Sequence, residues 1–329
     1  MVLKKKELYV GEKRFNFKKV IITGMYRSGK SLLGKILGTL ENVEFVDEPW
    51  LPTVLPHFQG NNLLDPRVAK DIMRSYLEEM LNDMILLRQT NFRPRDQSTI
   101  WARKDEKEII YRLLNLHTRD DVRRYVKEKN PVLLLNLSFT TPHVIFLAET
   151  FPGCKIIHVI RNGLDVALDV EEKKWYSNRQ LKQPVCSGDL YRIYCSKIYF
   201  EKYYIPWWVK RGDEEKFLGM NDFAKGLYLW RRHFELAEKE INKFKSSFPN
   251  QYKEVRFESI LKKPEAVIND LSEFFNVKLS KQTELVLSEI DAKMLKSKKR
   301  YPLNEIPSDE KKKVKRLLTK LKYSTFNLL

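Results

Sequence analysis

Short apolar runs alternate with longer amphipathic segments along this chain, and the alternation predicts its architecture. Strands are predicted at the mainly apolar runs 20–22, 43–46, 131–137 and 155–160, and a further strand at residues 252–257. Helices are predicted after residue 30, from about residue 163, and at residues 65–87, 106–116, 120–128, 142–150, 222–245, 264–275 and 308–321. Strands that alternate with helices in this way build a doubly wound parallel sheet flanked by helices, a three-layer α/β/α fold.

Two segments depart from this alternation. Residues 51–64 contain Pro, Asn and Gly and follow Pro49, so we expect a loop there. Residues 175–221 lack clear periodicity and are rich in aromatic side chains. Two interpretations of that segment are open: an acceptor-binding lid over the ligand side, or a locally packed helical excursion. Since no linker separates the elements, we expect a single domain over residues 1–329 with an aromatic-rich insertion at about 175–221.

The first strand is followed directly by a glycine-rich turn and an amphipathic helix. The turn, GMYRSGKS at residues 24–31, satisfies the G-x-x-x-x-G-K-[ST] pattern of phosphate-binding loops. In such a loop, backbone N–H groups and the helix N-terminus converge on a phosphate. The alternative is an ordinary turn with a chance GKS sequence, which leaves the glycines and cations of the turn without a purpose. We therefore predict a fold of the P-loop nucleotide-binding type.

Charged side chains follow two other predicted strands. Asp47 and Glu48 end the second strand, and Arg161 follows the strand at residues 155–160. Ligands of open α/β sheets bind beyond the carboxyl ends of the strands. These positions are therefore suited to binding or catalysis.

The charge of the chain indicates anionic partners. Its 61 Lys and Arg residues against 43 Asp and Glu residues give a formal net charge of +18. A surface this basic concentrates nucleotides, acidic glycans or peptides, nucleic acids and anionic membranes alike. No recognised nucleic-acid motif accompanies the charge, so nucleic acid is the least expected of these partners.

The cysteines and the hydropathy pattern bear on location. Cys154, Cys186 and Cys195 are odd in number and lack metal-ligand spacing, which favours a reducing compartment and argues against a zinc site. No apolar run is long enough to span a bilayer. The basic N-terminus is not followed by the apolar segment of a signal peptide. We expect a cytoplasmic protein.

Several segments, taken in order, resemble the sulfotransferases that use 3′-phosphoadenosine 5′-phosphosulfate (PAPS). They are GMYRSGKSLL at residues 24–33, FPGCKIIHVIRNGLDVAL at 151–168, WRR at 230–232, EVRFESIL at 254–261 and the basic C-terminal segment 308–323. Each segment alone is weakly specific, but their order is more so. The resemblance implies PAPS as the nucleotide donor, PAP as its product, and no metal. The acceptor stays open, because the basic surface and the aromatic insertion permit a glycan, a peptide, a lipid headgroup or a small molecule such as a phenol.

The resemblance also implies roles for single residues. The main-chain N–H groups of the loop hold the 5′-phosphosulfate, and the side chains of Arg27, Lys30 and Ser31 add further donors. The loop residues are Arg27, Ser28, Gly29, Lys30, Ser31 and Leu32. Arg161 takes the 3′-phosphate as a bidentate contact. Glu48 falls where some members carry the general base, and Asp47 is its nearest competitor. Positive groups of the loop, Lys30 among them, stabilise charge on the leaving oxygen.

Three positions differ from that family pattern. Asp169 stands where the family usually has a serine that donates to the 3′-phosphate, eight residues after Arg161. A carboxylate about 4 Å from a phosphate costs roughly 4 kcal/mol per charge pair at an effective dielectric constant near 20. Either Asp169 points away from the nucleotide, or the nucleotide has no 3′-phosphate. Thr140 stands where many relatives carry a lysine. Lys30 stands where the family usually has a threonine, and this lysine completes the loop pattern of nucleotide kinases.

Two other functions are therefore open. An ATP- and Mg²⁺-dependent P-loop kinase places the loop serine, here Ser31, on the metal and commonly uses a strand-end aspartate as well. The apolar run at residues 132–135 ends in Asn136 instead, although Asp47 is an alternative metal ligand. The third hypothesis is a catalytically inactive basic binding protein of the same fold, in which Asp169 and Thr140 are traces of a lost site.

Overall fold

The computed structural model of this chain describes residues 17–95, 99–183, 198–290 and 301–324. A five-stranded, all-parallel sheet lies at its centre, with the strand order β2-β3-β1-β4-β7. The strands are β1 (Lys18–Gly24), β2 (Val43–Asp47), β3 (Val132–Asn136), β4 (Lys155–Ile160) and β7 (Tyr252–Arg256). A separate antiparallel hairpin is formed by β5 (Ile198–Phe200) and β6 (Tyr203–Ile205). The predicted parallel sheet is confirmed.

Helices connect the strands. They are α1 (Lys30–Leu37), α2 (Trp50–Gly60), α3 (Pro66–Ile85), α4 (Glu106–Asn115), α5 (Arg119–Lys129), α6 (Val144–Thr150), α7 (Gly163–Lys173), α8 (Asn178–Leu181), α9 (Glu214–Gly219), α10 (Asp222–Ser247), α11 (Phe257–Lys262), α12 (Pro264–Phe275), α13 (Lys281–Ser288) and α14 (Ser308–Lys320). Short 3₁₀ turns lie at Ile100–Ala102, Thr141–His143 and Leu303–Glu305. The start of α3 shows why such bounds are readable from sequence, because Asp65 caps it and Pro66 is its first residue.

Both faces of the sheet are covered, which gives the predicted three-layer α/β/α arrangement. Alternate residues of β1 and β3 enter different cores: Ile21 and Leu133 pack with α3, α5 and α6 on one face. Val20 and Leu134 pack with α1 and α12 on the other face. Since successive side chains of a strand point to opposite faces, continuous apolar runs such as β3 are what a doubly covered sheet requires.

The loop prediction for residues 51–64 is wrong for most of its length. Pro49 does not stop regular structure but caps α2, which runs over Trp50–Gly60. Pro52 lies in the first turn, where a backbone N–H has no partner within the helix, so its missing donor costs little. Pro56 removes one interior hydrogen bond, yet the helix buries a run of residues around it, including Val54 and Leu55. Burial has outweighed local propensity here.

The aromatic segment 175–221 contains α8, the β5–β6 hairpin and α9 in its described parts. Tyr191 and Tyr194, which contribute to its aromatic pattern, lie outside the described residues. Trp208 is buried and packs edge-on against Tyr176 and Phe217. Part of this segment is therefore an ordinary packed core. Within the described ranges, no helix combines the length and the apolar character that crossing a membrane requires.

Candidate active site

The loop between β1 and α1 has a conformation that requires its glycines. Gly24 and Gly29 have φ angles of 145° and 92°, in the region that L side chains avoid. A Cβ atom on Gly29 would lie 2.1 Å from the ring of Phe257, and one on Gly24 would lie 2.3 Å from the carbonyl oxygen of Val159. The turn is therefore wrapped tightly against β4 and the start of α11.

Donors converge on the mouth of this loop. The N–H groups of the first turn of α1 have no acceptors within the helix, and the first helical hydrogen bond runs from Leu33 to the carbonyl of Gly29. The positive end of the helix dipole lies at the same place. The hydroxyl of Ser28 is buried and has no hydrogen-bond partner in the described structure. These features match what a phosphate group needs, as predicted from the glycine and lysine pattern.

Lys30 places a buried cation beneath the loop. Its side chain is only 3% exposed, and its Nζ donates to the carbonyl oxygen of Met25 at 2.6 Å. Burial lowers the pKa of Lys30 to about 8, while Glu48 and Asp47 raise it and Arg27 lowers it further. Burial therefore destabilises the charged form of Lys30, and an anionic ligand nearby would stabilise it.

Asp47 is held in place by two neighbours at the carboxyl edge of the sheet. The Asn136 side-chain amide donates to its carboxylate at 2.6 Å, and the Ser31 hydroxyl donates to the same oxygen at 3.2 Å. Asp47 and Asn136 are register partners in adjacent parallel strands. The second strand's aspartate and the loop serine therefore form one polar group.

Glu48 is presented differently. Its backbone has a φ of 48°, a left-handed conformation that is uncommon outside glycine, and its N–H donates to the carbonyl of Asn136 at 3.1 Å. The Ser138 hydroxyl donates to its carboxylate. The residue is exposed at the carboxyl edge, next to the exposed Trp50. Glu48 is thus oriented by the fold and open to an incoming molecule, which is the combination that a general base needs.

Arg161 lies at the end of β4, beside the loop. Its Nη1 donates to the carbonyl oxygen of Arg27 at 2.6 Å, and its guanidinium stacks 4.7 Å from the ring centroid of Phe257. The Trp230 indole donates to the carbonyl of Arg161 at 3.2 Å. The Arg161 Nε is buried and has no hydrogen-bond partner within the described structure. A fixed guanidinium with an unused donor is a plausible anion contact on chemical grounds.

Asp169 faces the site. Its Oδ2 accepts from Arg161 Nη1 at 2.7 Å and lies 3.6 Å from Arg27 Nε. Of the two options left by the sequence, a side chain that points away is excluded in this structure. Thr140, the other unusual position, is buried, and its hydroxyl donates to the carbonyl of Leu137 at 2.9 Å.

Four histidines lie behind the site and are neutral by burial. Desolvation lowers the pKa of His143 to about 4 and that of His158 to about 3, and the pKa values of His57 and His233 fall well below the ordinary value. His143 Nε2 and His57 Nδ1 lie 3.0 Å apart. Its place beside Arg231 and Arg232 in the sequence predicts a surface or interface position for His233, and that prediction is wrong, because His233 is fully buried on α10. It shares its helix with charged neighbours, and that charge pattern suggested an exposed face.

Sequence reasoning missed three residues that shape the site: Asn136, Ser138 and Phe257. Asn136 was recognised only as a strand end without a carboxylate, Ser138 belonged to no motif, and Phe257 lay in the EVRFESIL segment with no role assigned to it. The available signal was position, because residues that follow parallel strands meet at one edge of the sheet. Phe257 directly follows β7 and shared that signal, but its contact with Gly29 depends on how α11 packs against the loop.

Fold and site together define an α/β protein with a phosphate-binding loop at the carboxyl edge of its sheet. The description "Sulfotransferase family" matches residues 19–185, about half of the chain, so this chain belongs to the sulfotransferase family. None of the curated proteins matches the sequence. The family match covers the loop, both carboxylates, Arg161 and Asp169.

Solved structures similar to this chain are also sulfotransferases. The sulfotransferase domain from the Synechococcus PCC 7002 olefin synthase is 14% identical over 95% of this chain and 98% of its own, with a TM-score of 0.46. The sulfotransferase domain from the curacin biosynthetic pathway is 16% identical over 94% and 99%, with a TM-score of 0.47. A sulfotransferase from Alicyclobacillus acidocaldarius is 13% identical over 93% and 92%, with a TM-score of 0.42.

Proposed function

We propose that this protein transfers a sulfuryl group from PAPS to a hydroxyl or amine group of an acceptor. The observation that carries the proposal is the position of Glu48. This exposed carboxylate is oriented by Ser138 and lies on the same edge as the phosphate-binding loop and its buried Lys30. A base and an anion-binding cation on one edge suit transfer between a nucleotide and a nucleophile.

The residues divide the work. The backbone donors of residues 27–32 bind and orient the 5′ end of the donor, and Lys30 stabilises the negative charge that develops on the leaving phosphate. Glu48 accepts the proton of the attacking hydroxyl, and Ser138 keeps its carboxylate aimed. Asp47 is committed to Ser31 and Asn136, so we assign it a positioning role rather than the role of base. The donor itself supplies a sulfuryl group attached to a good leaving group.

The site fits an adenosine phosphosulfate in two places. The mouth of the loop offers the N–H groups of the first turn of α1, which have no acceptor within the helix, and the buried Ser28 hydroxyl for the 5′ end. Arg161, with its unused Nε, stands near enough to the loop to bond the carbonyl of Arg27. We also propose that the chain acts as one domain and that the aromatic segment 175–221 contributes to acceptor binding, because Trp175 packs edge-on against Tyr26 of the loop. The net charge favours an anionic acceptor such as a glycan, a peptide or a small molecule.

A kinase remains the second candidate because of one contact. Ser31 and Asp47 lie 3.2 Å apart, and a loop serine next to a strand-end aspartate is the arrangement that holds Mg²⁺ in P-loop phosphoryl-transfer enzymes. In the sulfotransferase proposal, the same pair only fixes the start of α1. The kinase therefore requires Mg²⁺ at Ser31 and Asp47, whereas sulfuryl transfer requires no metal there.

Calorimetric titration separates the two. Adenosine 3′,5′-bisphosphate and ATP are titrated into the protein, each in EDTA and in excess Mg²⁺. We expect the bisphosphate to bind in EDTA with an affinity that Mg²⁺ changes by less than about twofold, because main-chain donors and Lys30 hold it without a metal. A Mg²⁺-dependent preference for ATP would contradict sulfuryl transfer and favour the kinase.

A further inference from the structure

Asp169 joins the two arginines of the site through one oxygen atom. Its Oδ2 is 2.7 Å from Arg161 Nη1 and 3.6 Å from Arg27 Nε. The Asp169 and Arg161 side chains are only 19% and 11% exposed, whereas that of Arg27 is 40% exposed. Asp169 lies on α7, which begins two residues after Arg161, so the helix fixes the carboxylate against the guanidinium.

Asp169, Arg161 and Arg27 form one corner of the site. The Asp169 carboxylate lowers the positive charge of this corner before any ligand binds. Arg161 donates through the same Nη1 to Asp169 and to the carbonyl of Arg27, and its face lies over the ring of Phe257. One of the two positive charges at the corner is therefore already compensated by a partly buried partner. Pairs shielded from water in this way keep more of their interaction than exposed pairs do.

A phosphate placed at this corner meets attraction and repulsion together. Repulsion between a carboxylate and one phosphate charge about 4 Å apart amounts to about a thousandfold in affinity at an effective dielectric constant near 20. That repulsion offsets much of what the arginines contribute. A hydroxyl placed there carries no charge and donates a hydrogen bond to Asp169, since an ionised carboxylate is an acceptor only.

We propose that Asp169 is a specificity-determining residue that removes the advantage of a 3′-phosphate, so that donors with a free 3′-hydroxyl bind this protein about as well as PAPS does. The inference rests on the proposed function, because that function places the nucleotide's ribose at Arg161. Adenosine 5′-phosphosulfate is then a usable donor. Lys30, the unusual residue of the loop, is consistent with this proposal. Its buried cation strengthens binding of the nucleotide's 5′ end, whereas Asp169 weakens binding of a 3′-phosphate.

The test compares two nucleotides that differ only in the 3′-phosphate. Adenosine 3′,5′-bisphosphate and AMP are titrated calorimetrically in EDTA into the full chain and into Asp169→Ser and Asp169→Asn. We expect the wild-type affinities to agree within about tenfold and the serine variant to prefer the bisphosphate by about a hundredfold or more, since salt screens part of the repulsion. The isosteric Asp169→Asn variant is expected to shift the ratio in the same direction. Glu172→Gln removes an exposed carboxylate from the same helix and is expected to leave the ratio unchanged.

The ratio within each variant is independent of how much protein is active, and AMP binding reports that the nucleotide site is folded. A wild-type preference for the bisphosphate above about a hundredfold overturns the inference and leaves sulfuryl transfer standing. An unchanged ratio in both Asp169 variants also overturns it. If neither nucleotide binds the wild-type protein, the proposed function fails, and the role of Asp169 fails with it.

Discussion

Replacing Glu48 by glutamine is expected to lower the turnover of sulfuryl transfer by about a thousandfold, in the range usual for the loss of a general base. Glutamine keeps the size of the side chain and can still bond Ser138, but it cannot take the acceptor's proton. Nucleotide affinity is expected to change by less than about threefold, because the donors of residues 27–32 are untouched. Initial rates with saturating donor, together with calorimetric affinities, measure the two effects separately.

Two companion variants sharpen this prediction. Asp47→Asn removes the neighbouring carboxylate, which is bound to Ser31 and Asn136, and we expect it to weaken nucleotide binding more than it lowers the rate at saturation. Glu41→Gln removes an exposed carboxylate just before β2 and is expected to change neither quantity. If Glu48→Gln retains most of the turnover while Asp47→Asn loses it, the base has been assigned to the wrong carboxylate.

Replacing Lys30 by methionine is expected to lower nucleotide affinity by about a hundredfold, because hydrogen bonds to charged groups contribute about 1.5–3 kcal/mol each. Stability is not expected to fall with it. Lys30 is buried and its pKa is lowered to about 8, so the folded protein pays to keep the ammonium charged below that pH. Methionine fills a similar volume without that charge. The melting temperature and the calorimetric affinity are the two measurements.

The pH dependence follows from the same group. A lysine whose pKa in the folded, ligand-free protein is about 8 is partly neutral at pH near 8.5, and an anionic ligand restores its proton. We expect nucleotide binding to take up a proton in this range and to weaken as the pH rises above about 8. Calorimetry in two buffers with different ionisation enthalpies measures the uptake. It is expected to vanish in Lys30→Met and to persist in Lys35→Met, on the last turn of the same helix. Equal uptake in wild type and Lys30→Met would show that another group titrates.

The parts of the fold with strong local signals could be predicted from the sequence. β4 was predicted with its observed bounds, because a strand buried on both faces is mainly apolar, and only Lys155 and His158 interrupt this run. The turn between β1 and α1 was readable because two of its three positions with positive φ are glycines, Gly24 and Gly29, the third being Arg27. The carboxyl edge was readable in outline, since Asp47 and Asn136 follow parallel strands.

What the sequence did not reveal depends on contacts between distant segments. α2 forms in spite of its prolines because its buried face packs into the core that α3 lines, and no local rule expresses that contact. The sequence position of Asp169 does not tell whether its side chain faces the arginines. That orientation depends on how α7 packs against the rest of the fold. Ser138 and Glu48 are ninety residues apart in the chain and meet only at the sheet edge.

Transfer of the sulfuryl group itself is measured by supplying two labelled donors together, PAPS labelled in its sulfur and ATP labelled in its γ-phosphate. The acceptors are p-nitrophenol, a peptide with serine and tyrosine, and a hexosamine, and the reactions are run in EDTA and in Mg²⁺. We predict that the sulfur label reaches an acceptor in EDTA and that Glu48→Gln slows this transfer by about a thousandfold. Appearance of the phosphorus label on an acceptor in Mg²⁺, with the sulfur label still on the nucleotide, would contradict it.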